Sequence, residues 1–475
     1  MHRSPFARFV LAALVWSFPS FASIAGLTAC QSDDAVSPLP QDSGADQSVA
    51  ADGPASDSPA SSTDAGADQG AAADGPTSDA STDAGDAAQP TPTRLLLSYN
   101  GATQSELVAY GLQSNAIDGR LTFDDYLGGA YVGATAPWLL EQSTDMVGRL
   151  DSLHPWELDS TWSVAMNDLT DAGYAQPYAD PSAVIVATGV VAGSKAYVFR
   201  YNRNLVAIVD PSQSVDGGGV TGSVDLSSEV QAGGDGYVQP VAAVYIAAQQ
   251  RVYALLANVD RFDVVDNGYD QLCSGSTPTV IAIDTTTDTL VDLKGAADTG
   301  SGHGWPLVGY SPVFPGALAY DPLTGTAGRL LVLDTGCYAV DSDGGAGALT
   351  KREIESIDLA TGQATELLDL TSAPFPTSLT YIDAHHAIVQ LDTAYTWDPT
   401  TATLGPAIPN APDAFAYDGQ GSLLGVTTEY GSDGGTTGYE IVSVAVADGG
   451  VTKLGSNPFL LTNGFIEGAA LWPAP

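Results

Sequence analysis

The side chains that could do chemistry most directly in this 475-residue chain are two clusters of carboxylates, each in a Gly-containing stretch. Ca²⁺ takes about six to eight oxygen ligands, which such clusters can supply. The stretch from Asp341 to Gly345 lacks the Glu that completes an EF-hand loop, however, and Asp-Gly pairs are also ordinary turn formers. These Asp residues therefore either bind Ca²⁺ or only form turns, and the sequence predicts no other cofactor. The candidate calcium ligands are Asp260, Asp263, Asp266 and Asp270 in the first stretch, and Asp341 and Asp343 in the second.

Familiar catalytic signatures are missing from the sequence. It contains no Gly-Xaa-Ser-Xaa-Gly elbow, phosphate-binding loop or dinucleotide fingerprint in a strand-turn-helix setting. None of the five histidines joins a Cys in a catalytic arrangement. We expect His385 and His386 to be exposed turn residues rather than metal ligands.

The charge of the chain excludes one class of partner. There are 15 Lys plus Arg against 56 Asp plus Glu, a formal net charge of -41. Such a charge repels the phosphates of nucleic acids, so nucleic acid is not an expected partner. Most of the surplus should be solvated surface that favours solubility.

Residues 1–30 have the composition of a targeting segment. Arg3 and Arg8 precede an apolar run from Phe9 to Leu27, and Pro19 would interrupt a spanning helix. The segment ends on Leu27-Thr28-Ala29-Cys30. An ordinary secretion signal cleaved elsewhere, or a plain transmembrane anchor, is the alternative interpretation.

This ending resembles the lipobox of bacterial lipoproteins. The resemblance implies a signal peptide that is removed before Cys30, and a Cys30 that is acylated and anchors the chain in a membrane. The chain is therefore expected in the cell envelope. Gln31 after the cysteine favours the outer membrane, because Asp at this position is a retention signal in some bacteria.

Residues 31–93 are expected to form a disordered linker. The stretch consists mainly of Asp, Ala, Gly, Ser, Thr and Pro and has no Lys, Arg or aromatic residue. It has almost nothing to bury and cannot offset its chain entropy. Repulsion between its Asp residues should extend it into a spacer.

The residue pattern of the sequence changes at Arg94. Short runs of Val, Ile, Leu, Tyr and Thr alternate with Gly, Asp, Pro and Asn turns, and no convincing amphipathic helix occurs. An apolar strand that ends on Asp recurs at spacings of 74, 74, 40 and 50 residues. A unit of roughly 40 to 50 residues is the period of four-stranded propeller blades. The recurring segments are Ile208-Val209-Asp210, Ile283-Asp284, Ile357-Asp358, Trp397-Asp398 and Val446-Ala447-Asp448.

Residues 94–475 are therefore predicted to form one all-β domain, a seven-bladed β-propeller, with six or eight blades still open. The last strand, Phe465 to Trp472, is expected to join three N-terminal strands in one blade, which removes exposed sheet edges. Those three strands are Arg94 to Tyr99, Glu106 to Leu112 and Leu121 to Tyr126. The other blades are Ala130 to Asn167, Ser182 to Leu226, Val238 to Lys294, Gly316 to Leu370, Thr377 to Ile408 and Pro412 to Gly455.

The repeat resembles the secreted YVTN/YncE-like β-propellers. It pairs an Asp-turn segment, here Ile357 to Gly362, with a Pro-led inner strand, here Asp180 to Val186, and an aromatic-rich second strand, here Lys195 to Phe199. The resemblance covers about 380 residues and implies a propeller that serves as a binding or scaffold module. A fold shared this widely does not fix a function.

Long loops are expected on one face of the ring. In an antiparallel blade of strands a to d, the b-to-c loops and d-to-a crossovers share a face, and most of the loop length falls there. Cys273 and Cys337 occupy b-to-c loops of consecutive blades, so a disulfide is predicted, with two free thiols as the alternative. The expected long loops are Leu169 to Pro181, Asn258 to Pro278, Gly295 to Pro315, Thr335 to Lys351 and Glu429 to Gly438.

Two sets of residues are candidates for ligand binding at this face. In one crossover loop, His303, Trp305 and Tyr310 would stack on a sugar or a peptide, unless Trp305 merely packs the loop onto its blade. The second set lies at the mouths of inner strands, where it would line the central channel. Its members are Tyr178, Asp180, Tyr237, Gln239, Asp413 and Glu467.

Two functions remain from the sequence. The first is an envelope-anchored, non-enzymatic binding or scaffold module whose long-loop face contacts an unidentified protein or glycan. The second is a metal-dependent propeller hydrolase of the lactonase kind, which would use Asp180, Asp413 or Glu467 in the channel.

Overall fold

The structure of this chain, a computed structural model, consists mainly of β-strands. The model describes residues 91–475 except 134, 167–178, 191–192, 214–218, 232–235, 259–260, 264–269, 274–276, 296–301, 310–316, 323, 326, 341–345, 432–435, 462–463 and 474–475. Within these residues the helical elements are two short 3-10 turns, Ser227–Glu229 and Ala247–Gln249. The prediction of an all-β domain is confirmed for the described residues.

Among the described residues seven blades form the propeller, six with four strands and one with a short fifth strand, and an eighth sheet of four strands is built from loops. The closing blade begins with β1 (Arg94–Asn100), β2 (Ser105–Gly111) and β3 (Ala116–Phe123). Blade 1 contains β4 (Leu127–Val132), β5 (Pro137–Glu141), β6 (Met146–Leu150) and β7 (Leu158–Ser163). Blade 2 contains β8 (Pro181–Val190), β9 (Gly193–Arg200), β10 (Leu205–Val209) and β11 (Val220–Asp225).

Blades 3 and 4 carry the insertions. Blade 3 starts with β12 (Pro240–Ile246) and β13 (Arg251–Leu256), continues through the hairpin β14 (Arg261–Asp263) and β15 (Asp270–Cys273), and resumes with β16 (Thr279–Asp284) and β17 (Thr289–Leu290). A short strand β18 (Trp305–Pro306) also pairs with β16. Blade 4 starts with β19 (Leu318–Asp321) and β20 (Arg329–Asp334), passes through the hairpin β21 (Tyr338–Val340) and β22 (Ala346–Leu349), and resumes with β23 (Glu353–Asp358) and β24 (Ala364–Asp369).

Blades 5 and 6 complete the ring. Blade 5 contains β25 (Ser378–Asp383), β26 (His386–Gln390), β27 (Ala394–Asp398) and β28 (Thr403–Ala407). Blade 6 contains β29 (Ala414–Tyr417), β30 (Ser422–Tyr430), β31 (Thr436–Ala445) and β32 (Val451–Ser456). The last strand, β33 (Phe465–Trp472), pairs antiparallel with β1, so the closing blade has the order β3-β2-β1-β33. Closure by both ends of the domain is thus confirmed.

The recurring Asp has a local physical cause. At the turn after the third strand of a blade, the Asp carboxylate accepts a hydrogen bond from the backbone N–H two residues later, which closes an Asx turn. The donor is Ser212 for Asp210, at 2.8 Å, and Thr286 for Asp284, also at 2.8 Å. Asp358, Asp398 and Asp448 form the same bond at 2.8 to 2.9 Å.

Two predicted boundaries were wrong. The third strand of the closing blade is Ala116–Phe123 rather than Leu121 to Tyr126, and it begins right after the tight turn at Asn115, whose φ is +49°. The stretch from Glu429 to Gly438 is not simply a long loop. Strands β30 and β31 continue into it, with Glu429 paired to Gly438, because its Thr and Tyr residues suit a strand.

The hydrophobic core lies between neighbouring blades. Trp138 of blade 1 stacks on Trp162 at 5.2 Å between ring centroids, and both belong to a buried cluster with Val198 of blade 2. A second cluster joins Leu97 of the closing blade to Ile441 of blade 6. A blade therefore packs face to face against the blade on each side of it, and side chains from the facing sheets form the core between them.

Candidate functional site

Two predicted channel residues come together where the closing blade meets blades 1 and 2. Glu467 belongs to β33, and Asp180 immediately precedes β8. The innermost strand of blade 1, β4, packs against both β33 and β8. Asp180 has a φ of +56°, which Asp tolerates better than most residues. The charge of Glu467 is one of the causes that raise the pKa of Asp180, so the two carboxyls interact electrostatically.

Glu467 is held by two side chains from the start of the domain. Its Oε2 accepts a hydrogen bond from Asn100 Nδ2 at 3.2 Å and one from the Tyr126 hydroxyl at 3.4 Å. Asn100 is itself fixed, because its amide also exchanges hydrogen bonds with the backbone of Leu127 at 2.9 and 3.0 Å. The position of Glu467 is thus determined by the closure of the ring.

Two further acids surround Asp180. Asp145, in the β5–β6 turn, accepts hydrogen bonds at Oδ1 from the backbone N–H of Ala179 at 2.7 Å and of Asp180 at 3.0 Å. Asp125, in the crossover before β4, accepts from the backbone N–H of Thr144 at 2.9 Å. Asp145 thus fixes the backbone that leads into Asp180, and Asp125 fixes the turn that carries Asp145.

The electrostatics of this acidic cluster favour partial protonation. Burial, and then the charges of Asp145, Asp125 and Glu467, raise the pKa of Asp180 to about 7. Burial also raises the pKa of Glu467 to about 7, against the lowering effect of its bonds from Asn100 and Tyr126. At neutral pH each carboxyl can therefore donate a hydrogen bond to a polar ligand when protonated, or accept one from it when ionised.

A neighbouring tyrosine completes the cluster. The Tyr131 hydroxyl of β4 donates a hydrogen bond to the Ser182 carbonyl at 2.7 Å. Burial, followed by the charges of Glu467 and Asp180, raises the pKa of Tyr131 far above its usual value, so it stays a neutral donor. Asp125, Tyr131 and Asp145 were missed in the sequence because the start of blade 1 carries few strand signals.

Of the remaining channel candidates, two are buried, one is exposed and one lies outside the described residues. Gln239 is 1% exposed and Tyr237 is 8% exposed, so neither offers much surface to a ligand. Asp413 is exposed, and its Oδ2 accepts a hydrogen bond from the backbone N–H of Thr428 at 2.6 Å. Tyr178 lies outside the described residues.

The crossover residues have mainly packing contacts. Trp305 is 9% exposed, donates from Nε1 to the Leu293 carbonyl at 3.0 Å and stacks on Tyr253 with centroids 6.3 Å apart. His303 is bound to Glu229, whose Oε1 lies 2.8 Å from its Nδ1. Trp305 therefore packs its loop onto the blade, which was the alternative to a stacking role in ligand binding. Tyr310 lies outside the described residues.

The long loops of blades 3 and 4 form a sheet of their own, which we call the accessory sheet (β14-β15-β21-β22). Strands β15 and β21 pair in parallel, with Leu272 opposite Tyr338 and Cys273 opposite Ala339. Two loops that were predicted to emerge side by side are therefore hydrogen-bonded to each other. The sequence did not predict strands in them, since each strand is only three or four residues long.

The candidate calcium ligands lie wholly or partly outside the described residues. Asp260, Asp266, Asp341 and Asp343 lie outside the described residues, and the same holds for the side chains of Asp263 and Asp270. In the described part of the chain, one group of acids is close enough to share a metal ion: Asp334, Glu353 and Glu355 of blade 4. The channel carboxyls do not form such a group among those residues.

On the opposite face, His385 and His386 occupy the β25–β26 turn and are exposed, as expected. His386 Nδ1 lies 2.8 Å from Asp383 Oδ1, in a contact within the same turn. Among the described residues, no helix has the length and apolar character needed to span a bilayer.

Comparisons with known proteins give similarity of fold only. No protein-family model matches the chain, and no curated protein matches it. A functionally unknown protein from Desulfotomaculum acetoxidans has a TM-score of 0.48 at 10% identity, covering 81% of this chain and 100% of the other. A proposed 6-phosphogluconolactonase of Bacteroides fragilis has a TM-score of 0.46 at 12% identity, covering 81% and 99%. A variant of the apocarotenoid oxygenase of Synechocystis has a TM-score of 0.43 at 11% identity, covering 80% and 92%.

Proposed function

We propose that this chain is an envelope-anchored lipoprotein whose propeller is a non-enzymatic binding module, and that its ligand is a protein that contacts the long-loop face. The observation that carries the proposal is the accessory sheet. Surface loops whose sequences change without constraint are not expected to pair with each other across two blades. Here four short strands from two loops, one in blade 3 and one in blade 4, form one hydrogen-bonded sheet.

The accessory sheet suits a protein ligand better than a glycan. Within the described residues, β14 pairs only with β15 and β22 pairs only with β21, so the sheet has two open edges. An open edge offers backbone donors and acceptors to which an extended peptide can add as a further strand. The net charge of -41 favours a partner with a basic surface.

The tether supports the same proposal. Acylation at Cys30 and a spacer over residues 31–93 would hold the propeller away from the membrane, with room for its face to reach a partner. A membrane anchor of this kind adds nothing to the turnover of a diffusing small substrate. It does raise the local concentration of a binding module at the envelope.

The test is capture from envelope extracts by the full-length chain. One variant replaces the β21–β22 hairpin, residues 338–349, with a short Gly-Ser link, which leaves the pairing of Asp334 with Glu353 in blade 4. The matched control shortens the β30–β31 hairpin between Tyr430 and Thr436, which extends from the same face in blade 6. We expect one protein to bind the wild type and the control but not the first variant. Equal capture by all three chains would contradict the proposal.

The alternative is a metal-dependent hydrolase that uses the channel, and it rests on the raised pKa values of Asp180 and Glu467. Metal analysis of the purified chain and a panel of lactones and phosphoesters distinguish the two functions. Turnover that is lost in Glu467→Gln would favour the enzyme over the binding module.

A further inference from the structure

Three carboxylates are buried together at the root of the β21–β22 hairpin. Asp334 is the last residue of β20 and pairs with Glu353, the first residue of β23. Glu355 lies two residues further along β23 and therefore on the same face of the blade. All three side chains are 0% exposed, and one oxygen from each lies within 4.8 Å of the others.

The surroundings of these acids provide little compensation for their charge. Glu355 accepts hydrogen bonds from the backbone N–H groups of Val308 at 2.9 Å and Gly309 at 3.4 Å. Glu353 forms an ion pair with Lys351, at 3.0 Å from Nζ to Oε2. Among the described residues, no N–H or hydroxyl group donates to either oxygen of Asp334, whose carboxyl instead lies against that of Glu355.

An unpaired carboxylate in such a place is costly, since burial removes the water that would solvate it. Three acids share one lysine, so either protons or a bound cation must supply the missing compensation.

The site is also closed by backbone. A Cβ atom placed on Gly309 would lie 2.4 Å from Asp334 Oδ2, closer than real Cβ contacts come. Only glycine lets the crossover between blades 3 and 4 approach the carboxyl this closely. The cluster is thus enclosed by β20, β23 and the crossover backbone.

We propose that Asp334, Glu353 and Glu355 bind one hard divalent cation, and that Ca²⁺ is its natural occupant. The donor atoms are all carboxylate oxygens, which Ca²⁺ prefers over the nitrogen and sulfur ligands that suit zinc. Backbone carbonyls and water would complete the coordination. This site is distinct from the loop acids Asp341 and Asp343.

The position of the ion gives it a structural task. It would join the residue where the chain leaves blade 4 for the accessory sheet to the residue where it returns. Through Glu355 it would also join them to the crossover at Val308 and Gly309. Loss of the ion should therefore loosen the base of the β21–β22 hairpin before it unfolds the blades.

The test uses the full-length purified chain, first stripped with EDTA and then given Ca²⁺ or Tb³⁺. We expect one ion per chain by metal analysis, sensitised Tb³⁺ emission, an upward shift in Tm with Ca²⁺, and slower hydrogen exchange in residues 335–352. Asp334→Asn and Glu353→Gln should each weaken binding at least tenfold. The control Glu366→Gln changes an acid that contacts Lys351 from outside the cluster, and it should leave binding unchanged.

A second control separates the loop acids from the buried cluster. The double variant Asp341→Asn/Asp343→Asn should keep the ion and the Tm shift. If it loses them while Asp334→Asn keeps them, the ion belongs to the loop and the proposal is overturned. Absence of any Ca²⁺ effect in the wild type, with Asp334→Asn more stable than the wild type at neutral pH, would overturn it in favour of a shared proton.

Discussion

Asn100 donates a hydrogen bond of 3.2 Å to Glu467, and this bond joins the first strand of the propeller to the last. Asn100 is 0% exposed. Its Oδ1 also accepts from the Ser105 hydroxyl at 2.6 Å and from the backbone N–H of Leu127 at 3.0 Å. One amide therefore connects both ends of the domain, the next strand of the closing blade and the first strand of blade 1.

Replacing this amide should weaken ring closure. Asn100→Ala leaves the Leu127 backbone and the Glu467 carboxyl short of partners in a buried place, so we expect a loss of about 1 to 3 kcal/mol in the free energy of unfolding. Urea unfolding followed by fluorescence measures it. The control Gln420→Ala, at an exposed turn, should change the same quantity by less than about 0.5 kcal/mol. Equal effects of the two variants would show that Asn100 has no special role in closure.

The channel carboxyls should make stability depend on pH in a defined direction. The folded-state pKa of Asp180 and of Glu467 is raised to about 7, above the usual values of 3.8 and 4.5. The unfolded chain therefore releases these protons first, and stability falls as pH rises from about 4 to about 7. In Asp180→Asn/Glu467→Gln this part of the fall should disappear. The free energy of unfolding lost between pH 4 and pH 8 should then be smaller than in the wild type by at least about 1 kcal/mol.

Urea unfolding at several pH values gives this comparison. Asp124→Asn is a suitable control, because it removes one exposed carboxylate and leaves the channel intact. It should follow the pH dependence of the wild type. A double variant that also follows the wild type would mean that the two channel acids ionise as freely in the folded chain as in the unfolded one.

The blades could be predicted because their main signal is local. An Asp that closes a turn acts within three residues, so its spacing shows in the sequence. The same turn exists in blade 1, where Asp151 Oδ1 accepts from the backbone N–H of Leu153 at 2.9 Å and of His154 at 2.7 Å. It was missed because Gly148 and Arg149 interrupt the apolar run before it. Blade 1 had the fewest strand signals in the sequence, and part of the acidic cluster was missed because it belongs to this blade.

The buried acids of blade 4 could not be found in this way. Glu353 and Glu355 alternate with Ile354 along β23, a pattern that predicts a polar face toward solvent. Both are 0% exposed, because a crossover backbone and the neighbouring strand cover that face. The accessory sheet was hidden for a similar reason, since the pairing of β15 with β21 joins distant parts of the chain.

The predicted disulfide has a direct test. Strand β15 ends at Cys273, which lies opposite Ala339 of β21, and Cys337 immediately precedes β21, two residues before Ala339. We expect unreduced digests to contain a linked Cys273–Cys337 peptide by mass spectrometry. Cys273→Ser/Cys337→Ser should lose about 2 to 4 kcal/mol of stability, and reductant should destabilise the wild type but not this variant. Two free thiols in the unreduced chain would contradict the prediction.

The lipid anchor is predicted to depend on Cys30 alone. If residues 27–30 are processed as a lipobox, Cys30→Ser removes the acyl chains, and with them the hydrophobic contribution of about 0.8 kcal/mol per buried methylene that holds the chain in the membrane. The wild type should partition into the detergent phase of a Triton X-114 extraction and incorporate labelled palmitate. The Cys30→Ser chain should do neither. Because Cys273→Ser/Cys337→Ser keeps the first cysteine, it should behave as the wild type does. Palmitate that persists in Cys30→Ser would place the modification at another residue, and the lipobox interpretation would then be wrong.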